Sequence, residues 1–112
     1  MDTREPLIIH HQGCSDGICG ALILHTGLSG GELLDAQYGD DPPAPELVKD
    51  RDVWIVDFSY PREELLKINE LANKLVVLDH HKSAAANCEG LDFVVFDTER
   101  SGAMLAYDRM VE

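Results

Sequence analysis

Leu75-Val76-Val77-Leu78-Asp79-His80-His81 is the stretch that decides how this chain is read. Four consecutive aliphatic residues ahead of an acid and two imidazoles mark a strand buried on both faces that delivers polar side chains to the rim of a sheet. The pattern occurs twice more. Leu7-Ile8-Ile9 runs into His10-His11 and then Cys14-Ser15-Asp16-Gly17, and Val53-Trp54-Ile55-Val56 runs into Asp57. Three buried strands thus end in residue types that ligate metals, and in open α/β sheets such ends are where ligands bind.

Between these runs the chain alternates strand and helix. Strands are expected at 7–11, 33–38, 53–57, 75–79 and 93–96, the second of them short and near an edge. Asp16 to Leu28 reads as an apolar helix stopped by Gly27, Gly30 and Gly31. The prolines at 42, 43 and 45 make 39–45 a loop. A helix follows Pro61, with Ser59 as a candidate cap and Leu65, Leu66, Ile68, Leu71 and Ala72 as its buried face. A last helix runs from about Ser101 and is still helix-like where the chain stops, as at a domain boundary. Strand–helix alternation predicts an α/β domain: a five-stranded, mostly parallel, doubly wound sheet with helices on both faces.

Composition narrows the function classes. A chain of 112 residues makes one domain that buries roughly two-thirds of its unfolded surface. No apolar run approaches the roughly 20 residues that span a bilayer, and the start, Met1 to Pro6, is too polar for a signal peptide, so a cytoplasmic protein is expected. Cys14, Cys19 and Cys88 are too few for a disulfide framework; Cys19 and Cys88 read as packing residues. The formal charge of −12 argues against binding long nucleic acid, which needs clustered Lys and Arg. Divalent cations in an acidic cleft would reverse the local potential, so the acidity still admits a phosphorylated substrate.

At the first strand end an imidazole, a thiol and a carboxylate fall within a few residues of a helix start, which can also hold an anion. Asp16 alone would equally be a helix cap, and Asp57 alone a turn residue bonded to nearby backbone. Adjacent His80 and His81 point in different directions, so one suits a metal and the other a substrate. Imidazole with carboxylate suits Mn²⁺, Co²⁺ or Zn²⁺, and carboxylate-rich sets lean to Mn²⁺ or Mg²⁺. His25, inside the first helix, reads as structural.

These motifs, in this order, resemble the Asp-His-His (DHH) phosphoesterase superfamily, in particular the N-terminal catalytic domain of its exopolyphosphatase-like and oligoribonuclease-like branch. The first motif is similar to His11 through Gly17, the second to Asp57, the third to Asp79-His80-His81, and a fourth to Asp97 with Arg100-Ser101-Gly102-Ala103. The resemblance covers residues 7 to about 108. It implies a site of two divalent cations, most often Mn²⁺, with Mg²⁺, Co²⁺ or Zn²⁺ as alternatives. Asp57 would bridge them, and His11, Asp16 and His80 would be ligands. His81 would meet the substrate phosphate, and Asp79 would orient a histidine. Asp97 would be a further ligand or a helix-initiating residue. Arg100 and Lys82 are the nearest cations for a phosphate, with solvated surface charge as their plain alternative.

Two departures from the family pattern matter. Cys14 stands where Asp-x-Asp-Gly members have a carboxylate, although the related branch often has cysteine there; a thiolate ligand would favour Zn²⁺. His10 competes with His11 as first-motif ligand, and the spacing favours His11. Family enzymes also add a C-terminal domain, with a glycine-rich His motif, that closes over the substrate. Residues 1–112 would then be the metal-binding half. The resemblance implies a metal-dependent hydrolase of phosphodiester or phosphoanhydride bonds acting on a phosphorylated small molecule, a short oligonucleotide or polyphosphate. Two other readings stay open: an inactive metal- or nucleotide-binding module, and a receiver-like domain with Asp57 as phosphoacceptor.

Overall fold

The computed structural model describes residues 5–13, 15–37, 39, 41–81, 88–97 and 100–111, with the side chain of Asp16 outside that description. In chain order the described elements are β1 (Leu7–His11), α1 (Ser15–Gly27), β2 (Glu32–Ala36), α2 (Pro45–Val48), β3 (Asp52–Val56), α3 (Arg62–Leu71), β4 (Lys74–Asp79), β5 (Val94–Phe96) and α4 (Gly102–Val111). The five strands pair in the order β2-β1-β3-β4-β5, and every pairing is parallel. This is the doubly wound α/β fold expected from the sequence.

The apolar runs are continuous because β1, β3 and β4 are buried on both sides. Leu7, Ile9, Val53, Ile55, Leu75 and Val77 pack on one face with Val48 of α2 and Leu65 and Ile68 of α3. Their neighbours Ile8, Trp54, Val56, Val76 and Leu78 pack on the other with Ala21 and Leu24 of α1 and Leu105 and Ala106 of α4. A strand's side chains alternate between faces, so an unbroken aliphatic run feeds two cores at once. Each fully buried aliphatic side chain contributes roughly 1.5–3 kcal/mol.

Register then sets the upper rim. Ile9 lies opposite Ile55 and His10 opposite Val56, while Val56 lies opposite Leu78. One step further along each strand are His11, Asp57 and Asp79. From β1 the chain passes to β2 on one side and, next, to β3 on the other. The crevice between β1 and β3 is thus the point where strand order reverses, the usual place for a ligand in such sheets.

The lower rim is tied by Arg51, which is 3% exposed. Its guanidinium donates to the carbonyls of Glu5 and Leu47 and to Glu32 Oε1, at 3.0, 3.1 and 2.9 Å.

Several local expectations are corrected. The proline segment is not loop throughout, because Pro45 opens α2 at a first helical position, where a missing N–H costs nothing. Ser59 is not the cap of α3. Pro61 occupies that position with no side-chain cap, and Ser59 is buried beside Cys88. Leu66 is exposed instead of packed. Cys19 lies exposed on α1, so of the two packing cysteines only Cys88 is buried. Tyr38, expected at the end of the second strand, lies outside the described residues; β2 itself ends at Ala36.

Candidate metal centre

Asp57 is the hub. It follows β3 directly, is fully buried and holds a left-handed backbone, φ +59°. That conformation costs a non-glycine residue about 1–3 kcal/mol and persists only where its surroundings enforce it. Here the Asp57 amide donates to Leu78 O at 2.8 Å, which pins the turn to the end of β4. Oδ1 accepts from His80 Nε2–H at 2.6 Å. Oδ2 is buried with no hydrogen-bond partner among the described residues, and His11 Nδ1 stands 3.8 Å from it.

Asp79, the last residue of β4, is also fully buried. Its Oδ1 accepts from the amides of His80 and His81 at 2.8 and 3.3 Å, and from His81 Nδ1–H at 2.7 Å. The ring bond fixes the tautomer: with the proton on Nδ1, the lone pair of neutral His81 is on Nε2. That atom lies 3.9 Å from Asp57 Oδ1. A buried carboxylate behind an imidazole is the usual support of a metal-binding histidine.

His11 closes the third side. Its ring rests 6.0 Å from Phe58 and meets His81 edge-on at 5.7 Å, centroid to centroid. Phe58 is in turn braced edge-to-face on Tyr60 at 4.9 Å. Donor atoms of His11, Asp57 and His81 all lie within 4.8 Å of one another. Tetrahedral ligands about 2.0–2.2 Å from a common cation are about 3.3–3.6 Å apart, so the three donors would draw together by about an ångström to complete the grip. The partnerless Oδ2 is the polar atom such a cation would satisfy.

The other expected residues fall as follows. His80 is bonded to Asp57 and is not one of the three converging donors. Asp97, just past β5, is half-buried and its amide donates to Asp79 O at 3.2 Å; its carboxylate is not in the group. Arg100 is engaged with Asp108 of α4 at 2.7 Å. His10 lies outside the group, with Nδ1 buried and no hydrogen-bond partner among the described residues. Cys14 and Lys82 lie outside the described residues, as does the side chain of Asp16. Behind the site, burial pushes the Cys88 thiol up, and the Asp79 charge adds to this against the lowering effects of the Ser59 hydrogen bond and of Arg62. The aromatic brace of Phe58 and Tyr60 was not anticipated; the signal for it is that apolar character resumes immediately after Asp57.

No protein-family model matches the chain. It is 26% identical, over 118 aligned positions, to the uncharacterized protein R106 of Acanthamoeba polyphaga mimivirus, covering 91% of this chain and 28% of that protein. The crystal structure of an uncharacterized protein from Helicobacter pylori G27 matches with a TM-score of 0.78 at 17% identity, over 96% of this chain and 36% of that one. The likeness shows the fold. The chain spans only 28% and 36% of the lengths of these two relatives.

Proposed function

We propose that this chain is the metal-binding domain of a divalent-metal-dependent phosphoesterase of the DHH type, hydrolysing phosphodiester or phosphoanhydride bonds. The observation that supports this most is the convergence of His11, Asp57 and His81 at the β1/β3 crevice, with Asp79 holding His81 from behind. A bound divalent cation would supply a polarised phosphoryl oxygen and an acidified water.

The chain's own residues would do the rest. Asp57 presents a buried carboxylate that His80 steadies through Oδ1. Asp79 accepts from His81 Nδ1–H and so aims Nε2 at the shared position. This assignment makes His81 a ligand and His80 a support, where the family resemblance gives the metal to His80 and the phosphate to His81. The resemblance also implies a second cation, for which Asp16, Cys14 and Asp97 are the candidates. A receiver-like role is less well supported, because the Asp57 side chain is 1% exposed and already hydrogen-bonded.

The test is hydrolysis of bis(4-nitrophenyl) phosphate and of short-chain polyphosphate, with Mn²⁺ and with chelator. Mn²⁺-dependent release from at least one, lost in Asp57→Ala and His81→Ala, is expected. No release from either, or release indifferent to Mn²⁺, would contradict the proposal.

A further inference from the structure

We infer that Gly102, the first residue of α4, is a positioning residue for the Asp57 carboxylate: its missing side chain is the space that the carboxylate occupies. A Cβ built at Gly102 would stand 2.7 Å from Asp57 Cβ, 3.1 Å from its Cα and 3.1 Å from Oδ1. The first is closer than carbon atoms approach without something moving. Neither partner is loose. Asp57 is held in a left-handed turn by its amide bond to Leu78. The start of α4 is held by Leu105 and Ala106, both buried against the sheet. Any relief must rotate the carboxylate or push the helix start away from it, and Oδ1 is the atom that accepts from His80.

The same device recurs at the other ligand strand. A Cβ at Gly17 of α1 would stand 2.8 Å from His11 O and 3.2 Å from His11 Cβ. Two helix starts thus abut the two ligands that flank the crevice, each through a glycine. The inference rests on the metal-site reading for its functional meaning, while its geometric content stands without a cation.

The test compares Gly102→Ala with Gly27→Ala, whose added Cβ would meet Met110 at the opposite end of the same helix pair. In metal-free protein the His80 Nε2–H resonance should move in Gly102→Ala and stay in place in Gly27→Ala. Mn²⁺ affinity should fall about 10- to 100-fold in Gly102→Ala, the usual effect of disturbing a ligand's support, and less than about twofold in Gly27→Ala. A poorly folding Gly102→Ala is still informative through a double-mutant cycle. In an Asp57→Gly background, which removes the obstructing Cβ and suits the positive φ, the Gly102→Ala penalty should largely vanish. Additive penalties, or an unmoved His80 resonance, would overturn the inference. Wild-type protein that binds no Mn²⁺ would instead overturn the metal-site reading, leaving the resonance and the cycle to judge the positioning role.

Discussion

Replacing Asp57 by Asn separates what the fold requires at this position from what a cation requires. The shape is kept, and Asn adopts the left-handed backbone as readily as Asp, so the strain at φ +59° is unchanged. What changes is the buried charge. An unsatisfied buried polar group costs about 1–3 kcal/mol, and more when charged; Asp57 Oδ2 is such a group among the described residues. The variant keeps an Oδ1 acceptor for His80 at the price of a weaker, neutral hydrogen bond, a loss of about 1 kcal/mol. The metal-free variant should therefore be more stable, by up to about 2 kcal/mol. A 112-residue chain unfolds with an entropy of about 0.24 kcal/mol/K, so this gain is up to about 8 °C in Tm. Mn²⁺ at a hundredfold its Kd should stabilise the wild type by about 2.7 kcal/mol, or about 11 °C, and the variant not at all. Scanning calorimetry in chelator and in Mn²⁺ at matched ionic strength should show the two proteins exchange rank. An Asn variant less stable than wild type in chelator would refute the claim that the carboxylate is held at a cost. Equal Mn²⁺ shifts in both proteins would refute its role as a ligand.

Arg51→Ala should destabilise by about 2–4 kcal/mol, since it removes donors from two carbonyls at the lower rim. Glu32→Gln should cost less than about 1 kcal/mol, because that carboxylate is half exposed; denaturant titration of both variants checks the contrast, and comparable losses would contradict it. Cys88 gives a pH dependence. Its thiol pKa is raised by burial in the folded state, so the stability linked to it is full below the unfolded thiol's pKa and declines as pH rises through the alkaline range. Urea titrations at pH 8 and 10 should show this decline shrinking in Cys88→Ala. In the folded protein Cys19, which is exposed, should alkylate long before Cys88.

How much was legible in the sequence follows from which interactions are local. Strands β1, β3 and β4 were readable because burial on two faces leaves an uninterrupted aliphatic run. The acids and imidazoles beyond those runs stood out by contrast, and the parallel register brings them to one rim. What escaped depends on partners distant in sequence. Ser59 carries the local pattern of a cap, yet it is buried beside Cys88, 29 positions on, and caps nothing. Cys19 and Leu66 lie on helix surfaces where an apolar letter says nothing of direction; α1 is apolar on every side, with Ile18 and Leu22 also exposed. The choice between His10 and His11 turns on strand alternation, since neighbouring residues face opposite sides and only one can face Asp57. Gly102 was visible as part of a motif, but its contact with Asp57 exists only once α4 is docked.

The most direct measurement is calorimetric titration of the metal-free chain with Mn²⁺. Saturable binding of at least one ion per chain is expected, abolished in Asp57→Ala and His81→Ala and unchanged in His10→Ala. Absence of saturable binding, or binding that survives Asp57→Ala, would contradict the central claim that His11, Asp57 and His81 form a divalent-cation site.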